Sequence, residues 1–166
     1  LTGFDALTFW AKGSQAATIG EFGFGTDFGQ NKYATTRKNI TLTTNWVKYV
    51  IPIPDPSMLV RERGMLLYSA GGIGQPGLEV GYTFWVDEVR FEKDLVKDAF
   101  SGTTLNLNDL GLTQTFNLAS GVNETVSAAP SYFTFASTDI EVARVSELGI
   151  VSIVGEGTAT ITASVA

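Results

Sequence analysis

Thr83-Phe-Trp-Val-Asp-Glu-Val-Arg-Phe-Glu92 carries the strand period of two with a single interruption. Its first residues alternate, so Phe84 and Val86 share one face of a strand while Trp85 takes the other. Past the acids the apolar positions shift to Val89 and Phe91, which predicts a β-bulge near Asp87-Glu88. Leu7-Thr-Phe-Trp-Ala-Lys-Gly13 alternates in the same way, sending Leu7, Phe9 and Ala11 to the core and Thr8, Trp10 and Lys12 to the opposite face. Trp10 and Trp85 are thereby candidates for a surface face. In the strand over 16–24 the same reading buries Phe22 and Phe24 and turns Ile19 and Glu21 outward.

Composition agrees with sheets. The chain has 166 residues, enough for one large or two small domains, and 44% of them are hydrophobic, so packed cores are within reach. Only 17% are charged, while Gly, Thr, Ser, Val, Ile and aromatics abound, which predicts an all-β chain. A formal charge of −6, with eleven scattered Lys and Arg, argues against nucleic acid. The absence of cysteine excludes disulfides, thiolate metal sites and cysteine nucleophiles within the chain, and the absence of histidine removes the commonest general base and every Ser-His-Asp triad. No apolar run approaches the roughly 18 residues of a membrane span, so no membrane insertion is expected.

Alternation and turn clusters predict strands at about 6–12, 16–24, 39–43, 46–53, 64–70 and 79–92, then 103–107, 113–118, 124–127, 132–137, 141–145, 149–154 and 158–164. Gly71 to Gly77 reads as a loop, and Gly155-Glu-Gly157 as a turn. Between Glu92 and Gly102 a charged stretch separates an aromatic-rich half from a Ser/Thr/Val-rich half. The expected domains are therefore 1–95 and 96–166.

A sugar ring has an apolar face of C–H groups and a rim of hydroxyls, so binding wants a flat indole beneath it and a carboxylate or amide alongside. Trp10, Trp85, Tyr68 and Glu21 are the candidate ligand-binding set; the competing reading packs these rings under a loop or a neighbouring strand. Asp87 and Glu88, at a bulge, are candidate ligands for a hard cation such as calcium, against the simpler reading of two solvated acids. Asp5, Asp27, Asp55 and Glu62 read as ordinary solvent-facing loop acids. Tyr49 shares parity with Val47 and Ile51 and reads as core.

Together with Thr41-Leu-Thr-Thr-Asn-Trp-Val-Lys-Tyr-Val-Ile-Pro-Ile53, the two stretches quoted first resemble, in order and spacing, the C-terminal two-thirds of the galactose-binding-like jelly-roll carbohydrate-binding modules attached to glycoside hydrolases. The resemblance implies a two-sheet sandwich that binds a polysaccharide on its concave face or end loops, often with a structural calcium, and it places Trp46 in the sandwich interior. It also implies one or two strands before Leu7, to be supplied by a longer parent or by another chain, because six strands would leave an open edge.

From Phe133-Thr-Phe-Ala-Ser-Thr-Asp139 through Val142-Ala-Arg-Val-Ser-Glu-Leu-Gly-Ile-Val-Ser-Ile-Val-Gly-Glu-Gly-Thr-Ala-Thr-Ile-Thr-Ala163 the chain resembles the group-2 bacterial immunoglobulin-like family, with the last strand of that family missing. Gly149 and the Gly155/Gly157 pair would make its turns, and Phe116, Leu118, Leu105 and Leu107 would belong to its earlier strands. This second resemblance implies a spacer or adhesion module and brings no catalytic residue.

The expected whole is a non-catalytic polysaccharide-binding jelly roll joined to an Ig-like β-sandwich spacer. Its setting would be a larger extracellular or bacterial cell-surface protein such as a modular glycoside hydrolase, whose other domains would be its partners. The alternative is a structural or adhesive surface protein without a sugar site. An exposed Trp10/Trp85 platform favours the first and burial of both favours the second.

Overall fold

The structure is a computed structural model that describes residues 1–26, 31–70, 81–105 and 112–165, with the backbone alone for 97–105. Asp27, Leu107 and the Gly71 to Gly77 loop lie outside the described residues. The chain is all-β: β1 (Ala6–Gly13), β2 (Ala17–Phe24), β3 (Thr35–Leu42), β4 (Val47–Pro52), β5 (Leu67–Ser69), β6 (Phe84–Glu92), β7 (Val96–Leu105), β8 (Leu112–Leu118), β9 (Asn123–Ala128), β10 (Phe133–Ser137), β11 (Ala143–Val145), β12 (Val151–Ile153) and β13 (Ile161–Val165). Two single-turn 3₁₀ segments, Pro56–Met58 and Pro130–Tyr132, are the helical elements among the described residues.

A three-stranded antiparallel sheet, β4-β1-β6, packs as a sandwich on a six-stranded sheet, β5-β2-β3-β9-β8-β7. The alternation that directs Leu7, Phe9 and Ala11 inward meets Phe22 and Phe24 from the facing sheet, and all five are buried. The Phe9 and Phe22 rings stack with centroids 3.8 Å apart, and Phe24 meets Phe91 of β6 edge-on at 5.9 Å. Burying one such ring is worth about 1.5–3 kcal/mol, so this aromatic stack joins the layers.

Ile19 is completely buried rather than outward. The inward parity of β2 changes between Ile19 and Phe22, beside Asn39 of β3, which takes the left-handed φ of 56°. A break in the ladder thus lets both residues face the core, which simple alternation forbids.

The charged stretch after Glu92 begins strand β7 at Val96. Asp5 organises this corner: its Oδ2 accepts from the backbone N–H groups of Leu95 and Val96, and its backbone holds Glu92 and Ile53. Asp5 is therefore a turn-holding residue, not a free surface acid. The six-stranded sheet crosses the expected 95/96 boundary, because β9 pairs with β3 through Thr35–Ala128 and Thr36–Ser127. The β3 edge is thus covered by the same chain. Leu112, Phe116, Val126 and Tyr132 join one hydrophobic cluster with Leu7, Phe9 and Phe22.

Beyond β9 the chain forms two small antiparallel pairs, β10-β13 and β11-β12. Gly149, at φ 72°, makes the turn between β11 and β12, and Ser146 Oγ accepts from the N–H groups of Leu148 and Ile150.

Candidate functional site

The site begins with the outward face of β1. Antiparallel pairing sets Lys12 opposite Trp85 of β6, and Trp10 between Lys48 of β4 and Asp87 of β6. Trp46 precedes β4 by one residue, and Lys12 Nζ lies 5.0 Å from its ring centroid and 5.2 Å from that of Trp85. All three tryptophans of the chain therefore occupy the outer side of one three-stranded sheet, with an ammonium bracketed by two of them. Trp46 is 41% and Trp85 44% exposed, and Trp10 is half-buried. Strand spacing of about 4.8 Å and a two-residue repeat of about 6.8 Å put these rings within roughly 10 Å of one another.

Trp46 is outside the sandwich, against the expectation of an interior residue. Val47, Tyr49 and Ile51 pack inward, so alternation carries Trp46 and Lys48 to the opposite face. Lys12 and Trp46 are members of this face that the candidate set lacked.

The expected quartet is divided between the two sheets. Tyr68 belongs to β5, where its ring lies 6.2 Å from Phe22 and 5.5 Å from Phe84 and closes one edge of the sandwich while remaining 58% exposed. Glu21 belongs to β2, half-buried, and accepts the Thr36 hydroxyl. Trp10, Trp85 and Asp87 are brought together on β1 and β6; Tyr68 and Glu21 are apart from them.

The bulge expected at Asp87-Glu88 is present. Trp10 pairs with Asp87 and Thr8 with Arg90, so β6 carries one residue more than β1, and Glu88 takes φ 49°. Asp87 Oδ1 accepts from the Glu88 N–H at 2.7 Å, and Glu88 Oε2 pairs with Arg90 at 2.6 Å. Calcium takes six to eight oxygens. Among the described residues no third acidic group joins this pair.

Farther along the same face, Glu92 bonds Lys48 at 2.8 Å and the Thr8 hydroxyl at 3.1 Å. The Lys48 ammonium, helped by Thr8 and Arg90, holds the Glu92 carboxyl below its ordinary value of 4.5. At the β3/β9 seam, Arg37 pairs with Glu124 at 3.0 Å and lies 5.7 Å from the Tyr49 ring. Burial pushes the Glu124 carboxyl up, with Arg37 opposing, and pushes the Tyr49 and Tyr132 hydroxyls up as well. These groups tie strands together. A separate groove of about 930 Å³ runs between Lys32, Tyr33, Phe133, Phe135 and the Ser146 turn.

Comparison with protein-family models, with curated proteins and with solved structures gave no match to this chain.

Proposed function

We propose that this chain is a non-catalytic polysaccharide-binding module, a jelly roll joined to an Ig-like spacer, within a larger extracellular or cell-surface protein such as a modular glycoside hydrolase. The observation that carries the reading is the outer face of β4-β1-β6, where two half-exposed indoles and Trp10 share one surface with Lys12 and Asp87. Indole faces receive the C–H faces of sugar rings, and the charged neighbours meet their hydroxyls. Clustered exposed indoles mark a contact surface, and an open platform of them suits a chain of sugars better than a single small molecule. A shallow surface of this kind binds weakly, and repeated copies would compensate by avidity.

The test is affinity electrophoresis against β-glucan, xylan, mannan and galactan, with Trp10→Ala and Trp85→Ala variants whose fold is checked by circular dichroism. Retardation by a polymer that is lost in either variant supports the reading. No retardation of the wild-type chain by any polysaccharide overturns it in favour of a structural or adhesive role.

A further inference from the structure

The charges of the tryptophan face are unevenly matched. Lys48 is held by Glu92, and Arg90 by Glu88 and Glu92. Lys12 is different: among the described residues no carboxylate pairs with it, and its ammonium has two indole faces instead. Cation–π contact with exposed rings returns only about 0.5–1 kcal/mol each, less than a charge-assisted hydrogen bond gives. The two rings also fix the ammonium in place and take water from its flanks, so little further ordering is needed when an anion arrives.

We infer that the glycan recognised by this face carries an anionic substituent, and that Lys12, clamped between Trp46 and Trp85, is the residue that selects it. The inference rests on the polysaccharide-binding reading above. A sugar ring stacked on either indole brings a ring substituent toward the lysine between them. An ammonium is a compact point charge with rotatable donors, so it accepts a uronate carboxylate or a sulfate ester equally, without the planar discrimination of an arginine fork. Asp87, two residues beyond Trp85 on the same strand, marks the end of the face where hydroxyls rather than an anion are received. The net charge of −6 opposes a polyanion at long range, which screening limits to about 8 Å at physiological salt, so the selection is local to Lys12.

The experiment is affinity electrophoresis of the whole chain in polygalacturonate, in a sulfated galactan, and in neutral galactan and xylan. It compares wild type with Lys12→Met, Lys12→Arg and Lys38→Met, the last an exposed lysine of β3 on the other sheet that serves as a charge-matched control. The expected result is stronger retardation by an anionic polymer than by its neutral counterpart, weakened by salt. Affinity falls about tenfold or more in Lys12→Met, is largely kept in Lys12→Arg, and is unchanged in Lys38→Met. Retention by polygalacturonate alone assigns the substituent as a carboxylate, and retention by the sulfated polymer alone as a sulfate. Equal losses in Lys12→Met and Lys38→Met, or binding to neutral polymers alone, overturn the inference and leave the module reading standing. Binding to none of the four polymers overturns the inference and sends the module reading to its wider panel.

Discussion

The sandwich built on Phe9 and the segment after β9 treat their large apolar residues in opposite ways. Around Phe9 the side chains of Leu7, Ile19, Phe22, Phe24 and Ile51 are hidden and indoles are displayed; beyond the buried Tyr132 and Phe133, Ile140, Leu148, Ile150 and Ile153 stand 55–78% exposed, with no tryptophan among them. The difference lies in layering. β1 has a second sheet in front of it, whereas β11-β12 and β10-β13 are two-stranded pairs, too narrow to cover both of their faces. An exposed apolar residue therefore has a different backing in the two regions: a packed core behind a three-stranded sheet in one, and a two-stranded pair in the other.

The largest difference between the two regions is expected from a pair of truncations. Phe9→Ala should cost about 3–5 kcal/mol of stability in urea unfolding, whereas Ile153→Ser should stay within about 0.5 kcal/mol; comparable costs would mean that the two regions are equally packed. Next in size, Trp85→Ala should weaken polysaccharide binding about tenfold or more while moving stability by less than about 1 kcal/mol, the signature of a displayed ring rather than a packed one. A smaller effect tests the seam between the regions. A double-mutant cycle on Arg37→Met and Glu124→Gln should return a coupling of about 1 kcal/mol, and none if β9 is not held against β3. The smallest concerns acid. Because the folded pKa of Glu92 is lowered, its contribution to stability is present above the ordinary 4.5 and is lost as pH falls through the folded value. The stability difference between wild type and Glu92→Gln should accordingly shrink on acidification, measured by unfolding at successive pH values.

Much of the sandwich was legible because period-two alternation is a local property. It placed Leu7, Phe9 and Ala11 inside, Trp10 and Trp85 outside, and the bulge at Asp87-Glu88. For Trp46 the alternation through Val47, Tyr49 and Ile51 already pointed outward, and the family resemblance pointed the other way. Ile19 was misread because the break beside Asn39 lies on a neighbouring strand, out of view from β2 alone. Pairing between β3 and β9 joins residues some ninety positions apart, and no local pattern encodes it. The grouping of Tyr68 and Glu21 with the tryptophans failed for the same reason: a strand's outward residues can be listed from sequence, but which sheet that strand joins cannot. Lys12 was visible as an outward residue, but its place between Trp46 and Trp85 depends on how β1 pairs with its two neighbours.

The extra residue in β6 has a consequence for how that strand tolerates change. With Glu88 removed, the remaining order reads as an unbroken ladder: Trp85, Asp87, Arg90 and Glu92 still outward, Phe84, Val86 and Phe91 still inward, and Val89 newly among them. Glu88 is thus a supernumerary link whose loss would turn no neighbour to the wrong side. What its deletion would alter is the bend of the strand that carries Trp85.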